Sequence, residues 1–178
     1  QNAVGKDVYL YQSYSSFNNC TFRNAGTRGV DTYNIHGTCN FTNCSFEDNG
    51  DYPIYFSNAG YMGSMTNTSF TGNNPDAVLL NEGTVSATRT WEGYTYHILG
   101  NLYVGNYYGN SPSTWTLMPG ATLKFAEGKC FYTGSSSAYA GNLIAEGTAE
   151  QPITFTSMNG QPGGWNGLYF GDYSDYSG

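Results

Sequence analysis

Asn19-Cys20-Thr21-Phe22, Asn43-Cys44-Ser45-Phe46 and Asn67-Thr68-Ser69-Phe70 are three copies of one phrase, each 24 residues after the last. The register extends beyond the phrase. Phe17, Phe41 and Met65 precede the Asn by two residues, and Val30, Ile54 and Val78 follow with the same step. A fixed period of this length marks a repeat architecture in which each unit stacks on its neighbours. Phe17 and Phe22 are separated by five residues, an odd number, so one straight strand cannot point both inward. A bend between them resolves the conflict. Asn tolerates left-handed backbone angles, which makes Asn19, Asn43 and Asn67 the expected corners. The small residue after each corner (Cys20, Cys44, Thr68) then points inward and forms a stacked slot. Short strands and tight bends in a coil of this size predict an all-β fold, a single-stranded parallel β-helix or β-solenoid with about 24 residues per coil and about seven coils. The leucines of a leucine-rich repeat are missing, and no long stretch has helical apolar spacing.

The Asn phrase resembles the repeats of right-handed parallel β-helix proteins, the pectate-lyase-like superfamily, in which such a corner Asn forms a stacked ladder. The second half is similar to another flavour of the same fold found in secreted bacterial surface and adhesin-like proteins. There the carriers are the segments Thr116–Phe125, Leu143–Thr156 and Gly164–Phe170. The resemblance implies the fold more firmly than any activity, because unrelated functions share it.

The organisation expected is one β-helix domain over 1–178: regular coils with Asn corners over 1–80, an irregular aromatic-rich junction over 81–116, and a second coil family over 117–178. Both ends read as cut through a repeat, so the chain is expected to be one unit of something longer. Charged residues make up 11% of the chain, against about 25% in ordinary domains. The formal net charge of −7 with only six Lys and Arg argues against nucleic-acid binding, which needs clustered basic residues. No apolar run approaches membrane-spanning length, so no membrane insertion is expected. Low charge, abundant Tyr and Asn, and the resemblance together point to an extracellular, cell-surface location.

Cys20 and Cys44 stand one coil apart, near disulfide distance, yet Thr68 in the same place favours a slot for small side chains and free thiols. A Cys39–Cys44 bridge across the corner is the other option, and Cys130 has no evident partner. Asn19, Asn40, Asn43 and Asn67 each begin an N-x-S/T triplet. Three of them are the corners, which leaves Asn40 as the candidate glycan acceptor.

Among the family's activities are polysaccharide lysis and hydrolysis. Hydrolysis needs two positioned carboxyl groups, and the resemblance implies that a lyase would pair calcium-binding carboxylates with a basic residue. Glu47, Asp48 and Asp51 are the densest acidic cluster and the candidate calcium ligands, with a solvated Asn49-Gly50 turn as the competing reading. Asp7 and Asp31 are expected to stack, and Arg23, Arg28 and Arg89 show no acidic partner. The expectation is therefore no catalytic residue, no cofactor beyond this calcium candidate, and no enzyme. The aromatic contact surface expected is Tyr9, Tyr11 and Tyr14, then Tyr103, Tyr107 and Tyr108, then Tyr169, Tyr173 and Tyr176, because Tyr rings suit sugar stacking and interfaces. The function expected is a non-enzymatic structural or adhesive unit that associates end to end with itself or with tandem neighbours. A carbohydrate-binding or polysaccharide-cleaving β-helix is the alternative.

Overall fold

Phenylalanines 24 residues apart lie side by side: Phe17 pairs with Phe41, and Phe22, Phe46 and Phe70 form a continuous row. The computed structural model of the protein describes residues 4–105, 112–134 and 140–171. The chain divides into two compact units, 1–81 and 82–178. Apart from one 3-10 turn, Ala59–Tyr61, all regular structure among the described residues is β-strand.

In the first unit the strands are β1 (Val8–Tyr11), β2 (Ser16–Asn18), β3 (Thr21–Arg23), β4 (Val30–Tyr33), β5 (Asn40–Thr42), β6 (Ser45–Glu47), β7 (Ile54–Asn58) and β8 (Ser69–Thr71). β9 (Val78–Val85) follows and runs past the unit's last residue. Strands recurring at the same place in each coil pair in parallel, giving the ladders β1-β4-β7, β2-β5 and β3-β6-β8. Between the second and third faces Asn19, Asn43 and Asn67 hold φ of +54°, +52° and +52°. The chain turns there, and Phe17 and Phe22 meet edge to face inside, with centroids 5.3 Å apart.

The first coil departs from the period. Val8 pairs with Val30 and Tyr9 with Asp31, an offset of 22 residues. The expected stack of Asp7 on Asp31 is therefore absent, and a tyrosine lies opposite that carboxylate. The two missing residues come out of the connection before β2, which is shorter than its counterpart in the next coil, so the register of β1 slides while that of β2 does not.

The second unit holds β10 (Arg89–Trp91), β11 (Thr95–Ile98), β12 (Leu102–Val104), β13 (Ser113–Leu117), β14 (Thr122–Phe125), β15 (Cys130–Thr133), β16 (Gly141–Ala145), β17 (Thr154–Ser157) and β18 (Gly167–Phe170). They too pair in parallel, as β10-β13-β16, β11-β14-β17 and β12-β15-β18, with the end of β9 (Gly83–Val85) beside β12. The stretch 81–116, read from sequence as an irregular junction, carries β10, β11, β12 and most of β13. Its Trp91, Tyr96 and Trp115 are fully buried. The two indoles meet edge to face at 4.5 Å, and the Tyr96 hydroxyl donates to the Glu92 carbonyl at 2.8 Å. Pairing offsets here are uneven: Leu102 lies opposite Phe131, and Cys130 opposite Gly167. Turns of different length separate strands that still align, and left-handed glycines such as Gly120 and Gly128 (φ +87° and +69°) supply the bends. Coils of parallel strands wound about an aromatic core make both units β-helical.

Candidate functional site

Along β1, β4 and β7 every second side chain faces inward. Leu10, Val30, Thr32, Ile54 and Phe56 are buried there. The intervening residues form two rows on the outer face. Tyr9, Asp31 and Tyr55 make one, set by the pairs Tyr9–Asp31 and Asp31–Tyr55. Tyr11 and Tyr33 make the other, and Ser57, one residue beyond the Thr32–Phe56 pair, stands next to Tyr33 in that row.

The first row is charged at its centre. Asp31 is buried and accepts hydrogen bonds from the Lys6 ammonium and, at 3.0 Å, from Arg28 Nη1. Arg28 Nε also donates to Asp51 at 3.1 Å. The cations lie over rings, Lys6 Nζ at 4.3 Å from the Tyr9 centroid and the Arg28 guanidinium at 4.6 Å from that of Tyr55. Burial opposes the Arg28 charge, but the Asp31 and Asp51 carboxylates outweigh it and hold its pKa above the ordinary value. Arg28 thus has two acidic partners that sequence reading did not see. A guanidinium committed in this way is a clamp between coils and a poor proton acceptor.

The second row opens into a groove of about 450 Å³. Tyr11 and Tyr33, 51% and 53% exposed, stack with centroids 6.0 Å apart and planes within 10°. Tyr55 and Tyr61 add rings to the lining, Ser57 forms part of it, and the amides of Asn34, Asn58 and Asn81 join them. Among the described residues no charged side chain lines the groove. Tyr9 stacks beside Tyr11 at 6.4 Å. Tyr14 lies elsewhere, largely exposed, against Gly37. In the second unit Tyr103, Tyr132 and Tyr169 form a separate outward ladder, with centroids 5.1 and 5.7 Å apart. Tyr107, Tyr108, Tyr173 and Tyr176 lie outside the described residues.

The acidic cluster is divided among three tasks. Glu47 sits in β6 between Arg23 and Thr71, and Asp51 joins Arg28. Asp48 has φ +53° and stacks in sequence period with Asn24 (+57°) and Gly72 (+71°), a second left-handed corner. Its place in the cluster thus has a backbone reason. Among the described residues no three His, Cys, Asp or Glu side chains gather as metal ligands.

Cys44 and Thr68 are buried and Cys20 is half-buried; all four cysteines are free thiols. The Cys44 thiol donates to the Thr42 carbonyl at 3.3 Å. Burial, with the neighbouring Cys44 adding to it, pushes the Cys39 thiol up to about 12 despite a hydrogen bond at the Ser15 backbone. Of the corner amides, Asn67 Nδ2 donates to Asn43 Oδ1 at 3.2 Å on the exposed side. Asn40 donates to Ser16 Oγ at 3.2 Å and accepts from the Ser64 N–H at 3.0 Å, so its amide bridges coils.

A stronger ladder went unread in the sequence. Asn49, 2% exposed, accepts from the Ala25 N–H at 3.0 Å and donates to Asn73 Oδ1 at 2.7 Å and to the Phe22 carbonyl at 3.3 Å. Asn73 donates in turn to the Phe46 carbonyl and to Asp76 Oδ1, and Asp76 ends the ladder. Ala25 holds the equivalent place one coil before Asn49, so only two members carry amides and the series did not stand out.

A family model described as the right-handed β-helix region matches residues 4–111, more than half of the 178-residue chain. No curated protein and no solved structure matches the chain. With its period, its parallel registers and this match, the chain belongs to the right-handed β-helix family.

Proposed function

We propose that the chain is a non-enzymatic structural and adhesive β-helix of an extracellular surface, acting as a repeat or stacking subunit of a longer assembly. The observation that carries this reading is the state of the outermost described coil of the second unit. Trp115, Leu123 and Phe131 are fully buried, but the residues paired with them, Leu143, Phe155 and Leu168, are not. Leu168 is 37% and Phe170 46% exposed, although both continue inward-facing rows. Among the described residues, core-type side chains there stand on strands that pair on one side, a surface that a second copy can cover with one more coil. The groove of stacked tyrosines supports the adhesive part. The Arg28 clamp and the dispersal of Glu47, Asp48 and Asp51 favour a scaffold over a lyase.

Sedimentation velocity across a wide range of concentration tests the stacking. The chain is expected to form concentration-dependent multimers, and the double variant Leu168→Lys, Phe170→Lys is expected to remain monomeric while keeping its β-sheet circular dichroism. A wild-type chain that is monomeric throughout overturns the stacking mechanism. Cleavage of polygalacturonate that a chelator abolishes overturns the non-enzymatic reading.

A further inference from the structure

On the outer face of the first unit the tyrosine row is interrupted. Tyr11 and Tyr33 stack in consecutive coils. The next coil offers Ser57 at that place, whose short side chain leaves the space beyond Tyr33 unfilled. Neighbouring parallel strands are ~4.8 Å apart, so each place in the row has room for one flat ring, and here the ring is missing. What surrounds the gap is polar. The amides of Asn34, Asn58 and Asn81 and the Ser57 hydroxyl lie among the rings of Tyr33, Tyr55 and Tyr61. Asn58 already uses its carbonyl oxygen to accept from the Gly60 N–H at 2.8 Å, which fixes that side chain's orientation. Asn34 is held at φ +49° on the turn after β4.

From this interrupted stack we infer that the groove is a binding site for an uncharged glycan chain, with one pyranose ring continuing the Tyr11–Tyr33 stack over Ser57. The inference rests on the adhesive reading above and names the ligand class that the surface adheres to. Three features select that class. A sugar ring presents an axial C–H face to an aromatic ring and hydroxyls around its edge, which matches stacked phenols flanked by amide and hydroxyl groups. An apolar ring would instead leave those amides without partners, at a cost. Among the described residues no lysine or arginine lines the groove, and the chain carries a net charge of −7, so an acidic polysaccharide gains no counter-charge and meets repulsion. Lys6 and Arg28, which lie over the rings of Tyr9 and Tyr55 in the adjacent row, are engaged by Asp31 and Asp51. The volume of about 450 Å³ lies within the range of ordinary ligand clefts and admits a short stretch of chain.

The test is affinity electrophoresis of the full chain through native gels holding hydroxyethyl cellulose, arabinoxylan, mixed-linkage β-glucan or galactomannan, with polygalacturonate as the acidic comparison. The Leu168→Lys, Phe170→Lys background is used so that end-face assembly and groove binding fail separately. Retardation by at least one uncharged polymer is expected, with none by polygalacturonate. Tyr33→Ala removes a stacking face and should weaken binding roughly tenfold, as loss of a central aromatic anchor does. Ser57→Tyr fills the gap with the protein's own ring and should abolish retardation without lowering thermal stability. No retardation by any of the four polymers, retardation that survives Ser57→Tyr, or stronger retardation by polygalacturonate would each overturn the assignment.

Discussion

Replacing Asn49 by alanine tests whether the buried amide ladder holds the first unit's coils together. The side chain makes three hydrogen bonds in a place 2% exposed. Without it the Ala25 N–H, in a residue only 3% exposed, loses its acceptor at 3.0 Å. Left buried without an acceptor, that donor alone costs ~1–3 kcal/mol. The Phe22 carbonyl loses a donor at 3.3 Å, and Asn73 Oδ1 loses its short bond at 2.7 Å but keeps the Asn49 N–H at 3.3 Å. These acceptors suffer less because each oxygen has a second lone pair. The sum is a destabilisation of about 3–5 kcal/mol. With an m-value of ~1.5 kcal/mol per M, the urea midpoint of the first unit should fall by about 2–3 M. Hydrogen exchange should show the Ala25 amide losing protection first. Asn67→Gly is the matched control: its amide bond to Asn43 is exposed, and glycine accepts φ +52° without strain. That change should cost no more than ~1 kcal/mol. An Asn49→Ala variant as stable as wild type, or an Asn67→Gly variant equally damaged, would refute the assignment of the buried ladder as the stronger one.

Other expectations concern charge, thiols and protonation. Arg28→Met breaks the link between Asp31 and Asp51 but leaves Lys6 on Asp31, so a loss of ~1–3 kcal/mol is expected in urea unfolding. A double-mutant cycle with Asp51→Asn should show coupling. Alkylation of the native chain at mildly basic pH should modify Cys20 first and leave Cys39 untouched, since Cys39 is buried with its thiol pushed up to about 12; rapid labelling of Cys39, read by peptide mass, would contradict the burial. Burial, then the adjacent Lys124, lowers the pKa of His97 below its ordinary value. The unfolded chain therefore binds that proton more readily than the folded one. The contribution is complete above the unfolded pKa of ~6.5 and is lost as pH falls through the lower folded value. The thermal midpoint of the second unit should drop on acidification through that window, and His97→Gln should flatten the drop.

What could be read in advance depended on where the offset between coils is constant. Phe17, Phe22, Phe46 and the corners at Asn19, Asn43 and Asn67 recur at one spacing, so period, inward rows and bend were all legible in them. Asp31 was misplaced because the first coil is two residues shorter on one face, which set Tyr9 against it. The second unit keeps parallel alignment while its turns change length. Tyr103, Tyr132 and Tyr169 therefore line up in space without any common interval in sequence. The groove was half visible. The sequence marks Tyr11 but not Tyr33, Tyr55 and Tyr61, because their meeting depends on the slipped register and on a small residue at Ser57. Asn49 and Asn73 share the period, yet Ala25 breaks their series, and burial of an amide leaves no mark in a single sequence.

The even spacing of partners in the first unit bears on how such a chain reaches its fold. Phe17 meets Phe41, Phe22 meets Phe46, and Phe46 meets Phe70, each pair closing a loop of the same length. The entropy lost on closure grows only slowly with loop length and is the same for each of these phenylalanine pairs. No single pairing of distant ends has to be found. Once one coil has formed, its edge and its exposed aromatic rings are the template on which the next 24 residues settle. A chain threaded out of a narrow passage would thus fold in the order in which it emerges, each completed coil drawing the following one after it.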